Sequence, residues 1–297
     1  MTRDPTRLRE AMRRAPRPLH ERIARTHELE IQPLWQQPFA DLQLRALGER
    51  LNGAVLEVAC GAGHLTVELL RRHEGKGRLV ATEASSALLE RARSRSRGAG
   101  GPPLFLRVHD PAQKLPFAEE TFDVVVAGPD VSHAPDPAAA FADLFRVTKP
   151  GGRAVIAWPL SSSFAEPLDL LDEVLARMGR LVARHALAQH RAKVPDAASL
   201  ARALTEAGFE EVDVQSTRWE LLFRSGREFF YAPLVETGPL PEWRTVASED
   251  GDMLEVFLAW KETIDTYYQN RVFAVTVIGA CASARKPEAP ADSEKSA

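Results

Sequence analysis

The chain has 297 residues, 44% of them hydrophobic and 27% charged, with a formal net charge of -3. That length can bury a full α/β core without disulfides, and the near-neutral balance gives no general attraction to nucleic acid. The two cysteines, Cys60 and Cys281, make no disulfide framework, which points to a reducing, cytoplasmic setting. The apolar run at 272–282 is too short to span a bilayer, so no transmembrane segment is expected, and the N-terminus shows no apolar h-region, so no secretory signal is expected.

Residues 1–25 carry Arg3, Arg7, Arg9, Arg13, Arg14, Arg17, Arg22 and Arg25, diluted by Asp4, Glu10 and Glu21. They read as a basic, poorly ordered terminus. Residues 26–53 read as cap helices, the clearest around 34–47 with Trp35 and Phe39. Residues 54–59 (AVLEVA) form a short apolar run that ends in CGAG, and 63–73 follow with helical spacing at Leu65, Leu69 and Leu70. A GKG turn precedes the run at 78–82, and 85–97 make a second helix with Leu88, Leu89 and Ala92 on one face. The strand-like 104–108 comes next, then 122–127 (FDVVVA), apolar enough for burial on both faces. Pro137 opens a helix at 137–147, with Asp136 as its N-cap, and Pro150, Gly151 and Gly152 break the chain before a strand at 154–158. Further on lie a helix at 197–207 and strands at 211–219 and 272–282, separated by insertions at 159–194 and 224–270.

Strands alternating with helices at these intervals predict βαβ units and a parallel sheet. The expected fold class is α/β: a Rossmann-like, seven-stranded, mostly parallel sheet with an antiparallel last strand, helices on both faces and helical cap insertions. The main α/β domain spans 54–283, and the tail at 284–297, without aromatic or β-branched residues, is expected to be disordered.

The chemistry concentrates where strands end. Val55 to Gly63 runs strand, glycine turn, helix, an arrangement that lets a cofactor approach backbone closely. A dinucleotide fingerprint would place a third glycine at position 66, which is Thr66 here, so a NAD-linked oxidoreductase is a weak rival. Glu83 ends the next strand, where a carboxylate accepts from ribose hydroxyls. Asp110 ends the third, where an acceptor-only group suits an exocyclic amine.

With these pieces on the page, 55–157 resembles the core of class I S-adenosylmethionine (SAM)-dependent methyltransferases, and most of all the small-molecule branch with the quinone-biosynthesis and sterol-type enzymes. LEVACGAGHLT, LVATEASSALLERAR, KLPFAEETFDVVVAG and SHAPDPAAAFADLFRVTKPGGRAVIAW carry the likeness, in that order. The resemblance implies methyl transfer from SAM, with S-adenosylhomocysteine as product, to a small organic acceptor at O, N or C. It implies that Glu57 holds the methionine amino group and that Cys60, Gly61 and Gly63 line the cofactor with backbone. Glu83 would take the ribose hydroxyls, Ala84 would lie against the adenine, Asp110 would accept from its amine, and Gly128 would sit beside the sulfonium. No metal is implied. Neither a nucleic-acid partner nor a transmembrane anchor is expected, and oligomeric state stays open. A non-catalytic SAM-binding scaffold is the rival from another class.

Three departures stand out. Ala59 occupies a place where the family often has glycine. Pro111 adds a residue between Asp110 and Leu115-Pro116-Phe117. Ser132-His133 replaces a His-His pair. His133 is the candidate general base, since histidine titrates near neutrality, and its alternative role is packing or capping near Asp136. The aromatics Phe229, Phe230, Tyr231, Trp243, Trp260, Tyr267 and Tyr268 suggest a pocket wall or a dimer surface.

Overall fold

The computed structural model describes Arg22, residues 24–249 and residues 251–289. Most of the basic N-terminus and the tail from 290 on lie outside these residues. Contacts among the described residues divide the chain into two compact units, one within 36–158, 197–216 and 280–289, the other within 24–35, 159–196 and 217–279.

The first unit carries the parallel strands. β1 (Leu51–Val58), β2 (His73–Glu83), β3 (Leu104–Val108), β4 (Phe122–Ala127) and β5 (Thr148–Pro159) are joined by later strands β6 (Glu210–Phe223) and β7 (Phe273–Arg285). The sheet order is β3-β2-β1-β4-β5-β7-β6. β1 pairs in parallel with β2 and β4, β2 with β3, and β4 with β5. β7 runs antiparallel to β5: Lys286 N donates to Gly152 O, while at the other end Leu160 N donates to Ile278 O. The expected fold class is therefore the observed one. Strand order reverses between β1 and β4, and in open α/β sheets ligands bind beyond the strand ends at such a point.

The near-continuous apolar runs follow from burial on both faces. Val55, Leu56, Val125, Val126, Val155 and Ile156 are all buried between α1 (Gln37–Leu47), α2 (His64–Arg72), α3 (Ser86–Arg95) and α4 (Pro137–Val147). The helix expected near 34–47 splits in two. A π-helical segment, His27–Gln36, holds Pro33, and regular α geometry begins at Gln37. Proline has no N–H for an interior α-helical bond, and the wider π turn is one way a chain accommodates it. α1 then packs Phe39, Leu42 and Leu47 inward, and its last turn is closed by Arg72 and Arg153 donating to Leu44 O and Leu47 O.

Two boundaries move. Pro150, Gly151 and Gly152 do not interrupt β5; Gly151 takes φ +70° and its N–H donates to Lys286 O, so the turn is paired with the end of β7. For the same reason the expected disordered tail cannot start at 284. Ala284 and Arg285 are strand, and Lys286 is buried, its ammonium 4.5 Å from the Phe145 ring centroid and donating to Phe145 O.

The second unit contains both insertions. α5 (Ala165–Arg177) and α6 (Leu181–Lys193) come from the first, and α8 (Gly226–Tyr231), α9 (Pro233–Thr237), α10 (Leu240–Ala247) and α11 (Met253–Tyr267) from the second; α7 (Ala197–Glu206) belongs to the sheet-bearing unit. Leu168, Leu171, Val174 and Leu175 form the packed face of α5. Phe229, Phe230, Trp243 and Trp260 are the core of this unit, ring against ring, with Trp260 Nε1 donating to Pro167 O at 2.8 Å. Their aromatic content thus serves internal packing, while Tyr231 and Tyr267 stay exposed.

Candidate active site

The site is built where β1, β2 and β4 end. After β1 the chain turns through Ala59, Cys60, Gly61 and Gly63 into α2. Cys60 N donates to Thr82 O and Gly63 N to Cys60 O, so the turn is tied to β2 and to itself. The glycines are required by the protein's own packing. A Cβ on Gly63 would lie 2.7 Å from the Cβ of Ala92, so its absence lets α3 press against the turn. A Cβ on Gly61 would come 2.8 Å from the Gln36 side-chain oxygen, and one on Gly128 2.9 Å from Ala59 O. Arg95 of α3 donates to Ala62 O, fixing the turn from outside.

Ala59 takes φ 59°, the left-handed region that L-residues avoid, so the place where the family often carries glycine is strained here. Ala59→Gly is expected to raise stability by about 0.5–1 kcal/mol, glycine's greater unfolded freedom offsetting part of the relief. Chemical denaturation checks this; a lower midpoint would mean that the methyl's packing outweighs the strain.

Two carboxylates are buried at these strand ends. Glu57 accepts from Thr66 Oγ1 at 2.6 Å. Burial pushes its pKa up to about 8, opposed by the Thr66 bond and reinforced by Glu83. Glu83 accepts from Gly61 N at 3.0 Å and from Ser85 N at 2.9 Å. Burial raises it to about 7, against the pull of those backbone donors, with Asp130 adding repulsion. Ser85 also caps α3 through Leu88 N. Ala84 between them is half-buried. Burial likewise holds the Cys60 thiol well above its ordinary range.

Asp110 is half-buried at the end of β3 and shapes the next turn, accepting from Ala112 N at 3.0 Å while its carbonyl accepts from Gln113 N. After β4, Gly128 N donates to Val58 O and a 3₁₀ turn, Pro129–His133, follows. His133 is exposed on that turn; Asp136, accepting from Ala139 N, is the N-cap of α4. Capping therefore does not need His133.

The structure brings Glu57, Cys60, Gly61, Gly63, Glu83 and Gly128 to one end of the sheet. It also adds residues that sequence reasoning passed over. Thr66, read only as a missing glycine, is the hydroxyl donor to Glu57. Gln36 donates to Asp130 at 3.2 Å and lies against Gly61, and buried Gln43 donates to Ala127 O at 2.8 Å beside Gly128. Amides inside an otherwise apolar helical face were the available signal. A polar depression at the other end of the strands, lined by Asp123 and Lys149, is an ion pair stapling β4 to β5.

This fold, with an acidic cluster at the reversal of strand order, is that of class I SAM-dependent methyltransferases. The model of the ubiE/COQ5 methyltransferase family matches residues 23–220. The chain belongs to that family and transfers a methyl group from SAM to a small-molecule acceptor. It is 31% identical over 195 residues to the ubiquinone/menaquinone biosynthesis C-methyltransferase of Idiomarina loihiensis, covering 63% of this chain and 76% of that one. With the corresponding protein of Escherichia coli O1:K1 it shares 31% over 193 residues, covering 62% and 75%. Among solved structures, a candidate methyltransferase from Bacillus halodurans C-125 aligns with a TM-score of 0.54 at 20% identity, covering 84% and 98% of the two chains, a likeness of fold. Among the described residues no helix is long and apolar enough to cross a membrane.

Proposed function

We propose that this chain binds SAM at the ends of β1 to β4 and methylates a ring carbon of a small phenolic or quinol-like acceptor. The acceptor class rests on relatives named as ubiquinone/menaquinone biosynthesis C-methyltransferases. The observation that carries the cofactor reading is the buried pair Glu57 and Glu83, both raised in pKa chiefly by burial, Glu57 further by Glu83 and Glu83 further by Asp130. Such a pair fits a cationic ligand, because an ammonium or sulfonium nearby favours the ionised carboxylates. Glu57 would hold the amino group, and the first turn of α2, which has no side-chain cap, suits the methionine carboxylate. Glu83 would accept from the ribose, Ala84 would lie against the adenine, and Asp110 would accept from its amine. Cys60, Gly61, Gly63 and Gly128 would contribute backbone. SAM supplies a methyl already activated on sulfur, which leaves alignment and exclusion of water to the protein. A ring carbon must also lose a proton, and His133, on the loop bordering that space, would remove it.

The pH dependence has a definite sign. With both carboxylates raised above their ordinary value of 4.5, the ligand-free protein is most stable below that pH as far as these groups are concerned. It loses that contribution as pH rises through about 7 for Glu83 and about 8 for Glu57. A cationic ligand reverses the trend, so SAM binding near pH 7 is expected to release protons. Calorimetry in two buffers of different ionisation heat checks this, with NAD as the control ligand. Binding of NAD without SAM, or SAM binding with no proton released, would overturn the reading.

A further inference from the structure

The segment between Asp110 and β4 is long and starts with the extra residue Pro111, yet it is gripped from one side by α4. Asp143 of α4 accepts from Leu115 N through one carboxylate oxygen. Its other oxygen accepts from Arg146 Nε at 2.8 Å. The Arg146 guanidinium then donates to Phe117 O at 2.7 Å and to Leu115 O at 3.0 Å. Both side chains are mostly shielded, at 13% and 17% exposure, where a charge-assisted fork is stronger than on the surface. Leu115 itself is buried, and the Phe117 ring stands edge-on to Phe122 at 5.1 Å. At its start the segment is fixed by His109 N donating to Glu83 O. Both ends of the stretch 109–117 are thus held, and the added residue is absorbed in the turn at Asp110 to Gln113.

We propose that Asp143 and Arg146 are positioning residues for the adenine end of the cofactor site: the pair clamps Leu115 and Phe117 so that the turn carrying Asp110 presents its carboxylate in one register. This rests on the reading of Asp110 as the acceptor from the adenine amine. The two side chains act through the loop and touch no reacting atom. Lysine cannot replace the guanidinium, since a single ammonium cannot span Asp143, Leu115 O and Phe117 O together.

The test is base discrimination. S-adenosylhomocysteine and S-inosylhomocysteine differ at the exocyclic position, where oxygen replaces the amine. The ratio of the S-inosylhomocysteine to the S-adenosylhomocysteine dissociation constant reads the register of Asp110 and is insensitive to the homocysteine end. Arg146→Lys and Asp143→Asn are measured beside Asp110→Asn, with melting curves for all three. Asp143→Asn keeps an oxygen for Leu115 N, so it remains informative if Arg146→Lys folds poorly. The expected result is a fall of about tenfold in the ratio for both clamp variants, the scale of one misaligned charge-assisted bond. A general loss of structure would weaken both ligands equally and leave the ratio alone. An unchanged ratio in folded clamp variants, while Asp110→Asn collapses it, overturns the proposal and spares the reading of Asp110. An unchanged ratio in Asp110→Asn overturns that reading, and the proposal with it.

Discussion

Glu83→Ala is expected to weaken S-adenosylhomocysteine binding by about 10²- to 10⁴-fold, since hydrogen bonds to a charged group are worth about 1.5–3 kcal/mol each and a ribose offers two. The carboxylate is buried and already holds Gly61 N–H and Ser85 N–H, so the substitution acts twice. It removes the acceptors for the ribose, and it frees the glycine turn from the end of β2. Orphaning those backbone donors is expected to lower stability by roughly 1–3 kcal/mol, which melting curves will show alongside the calorimetric affinity. Glu83→Gln separates the two effects. An amide oxygen can still accept from one N–H, so much of the stability should return while affinity stays low. Unchanged affinity in a folded Glu83→Ala variant would reduce Glu83 to a tie for the turn.

His133→Ala should slow methyl transfer by roughly 10²–10⁴-fold, the usual contribution of a positioned general base. The side chain is exposed on the 3₁₀ turn after β4, and capping of α4 belongs to Asp136. Its removal should therefore leave both the melting temperature and S-adenosylhomocysteine affinity nearly unmoved. That combination of lost rate with intact fold and cofactor affinity distinguishes a base from a packing residue. Turnover is measured with methyl-labelled SAM on a panel of quinols, phenols, amines and small acids. A full rate in the variant would remove His133 from the reaction and leave alignment as the source of acceleration.

Much of the sheet was legible because its central strands are buried on both faces. FDVVVA and AVLEVA read as strands on apolarity alone, and β4 and β1 lie there. The polar start of β2, HEGKG, hid five residues of strand behind turn-forming glycines; pairing with β1 overrides the local signal. β5 and β7 were underestimated for a related reason, since proline and glycine in KPGG and the lysine at 286 acquire their pairing only from each other. In the site, carboxylates at strand ends announced themselves by position. Thr66, Gln36 and the Asp143–Arg146 clamp did not, because each works through a partner distant in sequence or on a neighbouring turn, and no local pattern encodes that partner. The aromatic richness of 224–270 was visible, but its destination, a private core, depended on four helices closing over one another.

That core has an optical consequence. Of the five tryptophans, Trp35, Trp219, Trp243 and Trp260 fall in the unit built from the two insertions, and only Trp158 falls in the sheet-bearing unit, at its last residue before the first insertion. Indole emission from this chain is therefore weighted toward one of its two units. Loss of that emission on heating or in denaturant follows the helical unit, and the strands that carry Glu57, Glu83 and Asp110 could loosen while the signal barely changed. Far-ultraviolet dichroism, which senses backbone everywhere, would see both; any gap between the two transitions is then a direct measure of how strongly the halves of the molecule melt together.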